Sequence, residues 1–232
     1  MSYKVACRSL LVVALASAAV IAAGCGGSPD GHASGRAVAY RPADMTLSRA
    51  TLLRAADFTT RWSVTAGSRR ERCADDDLFH DVTGRATSDS FSRGNVNVQQ
   101  SVWLFQDARS AARAFASIDT PAGRACFRKR IEARIREQDS DIVQPLRIIG
   151  QTAGTRTRHN RYRAKVSRDV DSPLGPVQTF LSLHVDDAER LAGRGISAVV
   201  VIAAADAADQ SIVRSMSRVA DRRLAAAGTV AG

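Results

Sequence analysis

Four cysteines, four histidines and a run of three aspartates are the side chains of this 232-residue chain best suited to covalent or metal chemistry. Cys7 and Cys25 stand near the start, and Cys73 and Cys126 lie deeper in the chain. Asp75, Asp76 and Asp77, with Asp81 near, carry enough charge for a divalent cation. They lack the alternate-residue ligands and central glycine of a calcium loop, so a solvated acidic loop is expected. His32, His80, His159 and His184 make no His-Glu-x-x-His, and no Cys-x-x-Cys occurs. Neither a Gly-x-Ser-x-Gly elbow nor a Ser-x-x-Lys is present. Lys4, Lys129 and Lys165 are the only lysines, and none follows a phosphate-cradling glycine loop. No catalytic residue, metal or cofactor is therefore assigned. A Ser-His-Asp set assembled in space stays open, because triads are defined by geometry.

Cationic side chains are the abundant chemistry. Lys and Arg together number 33 against 23 acidic residues, a formal net charge of +10, and arginine supplies nearly all of the cations. Two stretches concentrate them. Arg124, Arg128, Lys129, Arg130, Arg134 and Arg136 crowd one expected helix, and Arg156, Arg158, Arg161, Arg163, Lys165 and Arg168 crowd an expected strand or hairpin. Such clusters suit anionic headgroups, at about 1 kcal/mol per basic residue near an anionic surface, or anionic wall polymers. The competing reading is arginine as solvated surface in a composition rich in Ala, Val, Asp and Gly. Aromatic residues make up 5% of the chain, too few to provide the stacking platforms of nucleic-acid binding.

The elements that must position these groups begin with a leader. Met1 to Arg8 is short and basic, and Leu10 to Ala23 is an apolar run of about 14 residues, within the range of a secretory signal. A membrane-spanning helix needs about 20 apolar residues, and Gly24, Gly26, Gly27 and Pro29 interrupt this run at once. Export places Cys73 and Cys126 in an oxidising compartment, where a pair reads as a disulfide rather than as two buried thiols. Gly26 to Ala43 has no apolar period and reads as a tether spanning about 20–25 Å. Residues 45–232 then suffice for one domain.

Within that domain, Thr46 to Phe58 is expected as a first helix capped by Thr46. Trp62 and Val64 suggest a short extended segment. Arg85 to Phe91 and Asn95 to Phe105 are expected strands, the second alternating Val96, Val98, Val102 and Leu104 with Asn97, Gln99 and Ser101. Asp107 caps a helix to Ile118, and Thr120-Pro121 starts another whose apolar face is Phe127, Ile131 and Ile135. Residues 142–149, 156–168, 177–185 and 196–203 are the later strands, with a turn over Asp171 to Pro176. A final helix is expected from about Ala207 to Ala226, burying Ile212, Met216, Val219 and Ala220. Adjacent strands joined by turns imply an α+β fold, a mostly antiparallel sheet of about five to six strands with helices packed on it.

Two resemblances add to this. Ile21-Ala22-Ala23-Gly24-Cys25 resembles the lipobox of bacterial lipoproteins, with Ala22 where that family more often has Leu or Val. The resemblance implies cleavage after residue 24, diacylglyceryl (palmitate-type) modification of Cys25, and a protein held on the outer face of the cell membrane. Two acyl chains anchor stably where one is marginal. Leu52-Leu53-Arg54-Ala55-Ala56-Asp57-Phe58, followed by Trp62, Cys73, a strand, an Ala-rich helix and Cys126, is similar to actinobacterial envelope lipoproteins. The same layout resembles the extracellular sensor domain of the mycobacterial kinase PknH, with one candidate disulfide where that domain has two. This second resemblance implies a non-catalytic, sensor-like module that binds a ligand or an envelope partner. The alternatives are an accessory lipoprotein of a membrane complex and a cryptic hydrolase.

Overall fold

Eight strands form one antiparallel sheet in the computed structural model, which describes residues 39–58, 61–67, 78–138, 140–204 and 210–230. The described residues all belong to one unit, residues 36–232. Helix α1 (Pro42–Ala50) is followed by a single 3-10 turn at Ala55–Asp57 and the short strand β1 (Ser63–Thr65). Strands β2 (Val82–Thr87), β3 (Ser90–Arg93) and β4 (Val96–Phe105) come next, then α2 (Ala108–Ser117) and α3 (Pro121–Arg136). A meander β5 (Asp141–Ala153), β6 (Thr157–Ser172), β7 (Gly175–Ala192) and β8 (Gly195–Ala204) precedes α4 (Gln210–Val230).

The strand order is β1-β3-β4-β8-β7-β6-β5, with β2 beside β3 on the same edge of β4. The chain leaves β4, crosses one face as α2 and α3, and re-enters at the far edge as β5. Three hairpins then bring it back until β8 pairs with β4 from Gly195↔Leu104 to Ala203↔Val96.

Register divides the sheet into two faces. The front carries Trp103 and Phe105 of β4, Ile196, Ala198, Val200 and Ile202 of β8, and Tyr162, Ala164 and Val166 of β6. Phe115 and Ile118 of α2 and Phe127, Ile131 and Ile135 of α3 pack there. The back carries Val96 and Val98 with Val199, Val201 and Ala203, covered by Ile212, Val213, Met216 and Ala220 of α4. All ten residues of β8 are buried, as a strand covered on both sides requires.

Several expectations hold. Asp107 accepts from the Ser110 amide at 2.7 Å, and Thr120 accepts from Gly123 at 3.1 Å with Pro121 at the first helical position. Others need correction. The sheet has eight strands rather than five to six: the short extended segment around Val64 joins the sheet as β1, and the expected strand 85–91 is two pieces. Ser88 and Asp89 break it, and the Ser88 hydroxyl accepts from the Gln100 amide at 3.0 Å where a ladder bond would run. Helix α1 starts at Pro42, not Thr46, since proline suits the first turn, and it stops before Leu52. Leu53 then donates its amide to the buried Gln100 side chain at 2.6 Å, a bond a continued helix would forbid.

Helix α1 reaches the sheet because Gly84 has no side chain: a Cβ there would lie 2.5 Å from the Asp44 backbone. This approach seats Asp44, 4% exposed, against the Arg194 guanidinium at 2.5 and 2.9 Å. That contact holds the Asp44 carboxyl below its usual range. A depressed folded value gives stability that is complete above the unfolded carboxylate range and lost as pH falls through the folded value. Asp44→Ala is expected to cost about 3 kcal/mol at pH 7 and markedly less near pH 3, as read by urea unfolding at the two pH values. An equal loss at both would show the ion pair to be unimportant.

Candidate functional site

The structure sorts the basic residues into three groups. Arg124, Arg128 and Lys129 lie exposed on α3, in front of the sheet. Arg161, Arg163 and Lys165 alternate on β6 with the front-facing Tyr162 and Ala164, so they lie on the back. The two basic clusters therefore sit on opposite faces of the sheet. Arg130 and Arg134, expected at that surface, are 5% and 7% exposed, and Arg158 is 7% exposed. Helical period explains this: Arg130 and Arg134 share a face with Phe127 and Ile131, which must reach the sheet.

What receives Arg130 is a pair of carboxyls on β7. Asp187 and Glu189 alternate in phase with the buried Leu183 and Val185, so they point into the front core, 0% and 2% exposed. Arg130 donates to Asp187 at 3.2 Å while lying over the Phe127 ring at 4.4 Å and the Trp103 ring at 5.6 Å. Arg158 stacks on Phe115 at 4.1 Å, bonds the Phe115 carbonyl, and pairs with Asp119 at 2.5 Å. Burial, then the Asp187 charge, raises the Glu189 carboxyl well above its ordinary range. Burial and the like charge of Asp187 both favour the protonated form of Glu189. Two of the buried guanidiniums are paired, Arg130 with Asp187 and Arg158 with Asp119. These groups fasten α2 and α3 to the sheet.

On the back, α4 and the strands enclose a cleft of about 210 Å³. Arg214, Ser217 and Asp221, at i, i+3 and i+7, line it from one stripe of α4. His159 comes from β6, Ala188 and Arg190 from β7, and Ser197 and Val199 from β8. His159 Nε2 sits 2.8 Å from Asp186, and Arg190 pairs with Asp221 at 3.5 Å. Burial raises the Asp221 carboxyl, against the opposing pull of Arg190. Ser217 Oγ is buried without a hydrogen-bond partner among the described residues. It is thus not bonded to the His159–Asp186 pair, and the cleft presents binding groups over an apolar floor of Val199 and Val213.

Other sequence candidates fall elsewhere. Cys25, Cys73, His32, and Asp75 to Asp77 lie outside the described residues; Cys126 is 8% exposed on the inner side of α3. Asp81 pairs with Arg113 at 3.1 Å. No group of three or more His, Cys, Asp or Glu with metal-binding geometry occurs among the described residues. None of their helices is long and apolar enough to cross a membrane. The sequence reading missed Asp187, Glu189 and the α4 cleft. The strand containing the two acids was ended at Val185; extending its alternation by two steps would have put both carboxyls inside.

No protein family matches this chain, and no curated protein is significantly similar to it. Among solved structures it is similar to the extracellular domain of PknH from Mycobacterium tuberculosis. That likeness has 11% identity and a TM-score of 0.40, over 79% of this chain and 98% of that one.

The raised Glu189 carboxyl gives a signed expectation. Unfolded, this group ionises above about pH 4.3; folded, it ionises only at higher pH, so stability falls as pH rises from the first value toward the second. Glu189→Gln keeps a donor toward Asp187 and removes the penalty. Urea unfolding should find the variant more stable than the parent at pH 7 and nearly equal at pH 4. The opposite order at pH 7 would mean that Glu189 is ionised in the fold.

Proposed function

We propose that this chain is an exported, lipid-anchored envelope protein whose single domain binds a small ligand without chemical turnover, in the manner of a sensor module. The observation that carries the binding role is the cleft beneath α4, where an unpartnered buried hydroxyl, two arginines and a valine floor converge. A few polar groups over an apolar lining is the composition of a ligand site, and a buried hydroxyl without a partner costs free energy that a ligand can return. The volume suits a metabolite-sized molecule rather than a polymer. Support for export and anchoring comes from the leader and the Ala-Ala-Gly-Cys sequence. A Cys73–Cys126 disulfide belongs to the same reading, and would tie α3 to the segment before β2.

The runner-up, an accessory subunit of a membrane complex, draws on the apolar exposure of β5. There Val143, Ile148 and Ile149 are each more than two-fifths exposed.

Native mass spectrometry of the protein released gently from its own membranes is expected to show a small-molecule adduct. Ser217→Phe, which fills the cleft, should remove the adduct without changing fractionation. A parent protein free of small molecules but joined to another polypeptide would transfer the case to the accessory role. Cys25→Ser is expected to abolish the lipid mass on residue 25; an unlipidated parent would end the anchoring claim. Alkylation without reduction should leave Cys73 and Cys126 unlabelled, and labelling of both would exclude their bond.

A further inference from the structure

Among the described residues nothing covers the back of the sheet beyond the margin of α4, and the side chains exposed there are largely cationic. Arg161, Arg163 and Lys165 alternate along β6 on this side. Arg147 on β5 stands directly across from Arg163, and His184 on β7 stands across from Arg163 on its other side. Five basic side chains thus occupy three neighbouring strands, in rows about 4.8 Å apart with residues about 6.6 Å apart along β6.

This arrangement is costly unless something anionic faces it. Like charges directly opposite each other on antiparallel strands repel. Among the described residues, none of Arg147, Arg161, Arg163 and Lys165 has an ion-pair partner. Asp186 is the register neighbour of Arg161, yet it pairs with His159 instead. Arg161 is free to turn the other way, over Gly150, where a Cβ would lie 2.8 Å from its guanidinium. Gly150 thus leaves room on β5 for the Arg161 guanidinium. His184 Nε2 is buried with no hydrogen-bond partner. Asp141, Asp169 and Asp171 are the exposed acids of this face, and all lie beyond Lys165 toward the β6–β7 turn.

An apolar group borders the cations. Phe180 on β7 is 56% exposed, and Lys165 Nζ lies 5.6 Å from its ring centroid. A hydrated polymer would leave that ring in water, whereas a bilayer interface takes up an aromatic side chain together with neighbouring cations.

We infer that the open back of the sheet, centred on Arg147, Arg161, Arg163 and Lys165 with Phe180 at its edge, is a docking surface for an anionic phospholipid bilayer. Headgroup phosphates neutralise the opposed arginines, and the Phe180 ring enters the interface. Docking holds the domain flat on the surface instead of leaving it at the end of its tether. The contact face is independent of how the chain is anchored.

The test uses the full chain reconstituted with vesicles and a Phe180→Trp reporter, its emission taken as the difference from the parent. Vesicles containing brominated phosphatidylglycerol should quench the new indole, and brominated phosphatidylcholine alone should not. Arg161→Gln with Arg163→Gln should weaken the docked state about 25-fold in low salt, about five-fold per residue removed. Arg124→Gln with Arg128→Gln, on the other side of the sheet, should change nothing. Co-flotation reports anchoring independently, so loss of the anchor and loss of docking are read separately. Equal quenching by both lipids, or none by either, overturns the inference. So does an emission shift caused by soluble polyphosphate but not by vesicles, which would assign the face to a wall polymer.

Discussion

A strand with no polar side must be covered twice, and β8 is such a strand. Every residue from Gly195 to Ala204 is buried, so β8 cannot sit at an edge or face water. The rest of the architecture answers that demand. The segment after β4 crosses the front as α2 and α3, the last segment returns over the back as α4, and strands close both sides. Helices are finite, however, and the meander is wider than the helices laid on its back. The covered part of the back ends near β7, and the line where α4 gives way to open sheet is where the cleft forms.

The front shows what happens when charge enters a packed layer. Asp187 and Glu189 continue the alternation of Leu183 and Val185, so β7 carries carboxyls into the core at the depth where Arg130 and Arg158 arrive. Buried ion pairs of this kind are expensive to break and add little net stability when complete. Their effect here is positional. An aliphatic contact tolerates sliding, whereas a guanidinium lying over the Trp103 and Phe127 rings and bonded to one carboxylate restricts the placement of α3.

Much of the fold was legible in the chain, and the failures have physical causes. Helix starts at Asp107 and Thr120 were readable because a cap is a local device. The continuous apolar run of β8 announced a central strand. Strand number was misjudged where a side chain replaced a ladder bond, since nothing in the spacing of Arg85 to Phe91 reveals that Ser88 serves the Gln100 amide. Basic residues were grouped by nearness in sequence, yet Arg130 and Arg128 differ by two positions on a helix and so point apart. The cleft was invisible for a similar reason: Ser217, Arg190 and His159 come from three elements, and no local pattern ties them together.

Strand β5 carries a final consequence. It is one margin of the sheet, 13 residues long and with Val143, Ile148 and Ile149 exposed, the profile of a template for fibrillar growth. Copies held on a membrane, as proposed above, would be concentrated in two dimensions, where such templates meet often. Yet its register slips three times against β6, and Pro145 lies within one of the slips. An irregular margin with a missing amide cannot zip to a copy of itself over any long stretch, so crowding on a surface need not end in aggregation.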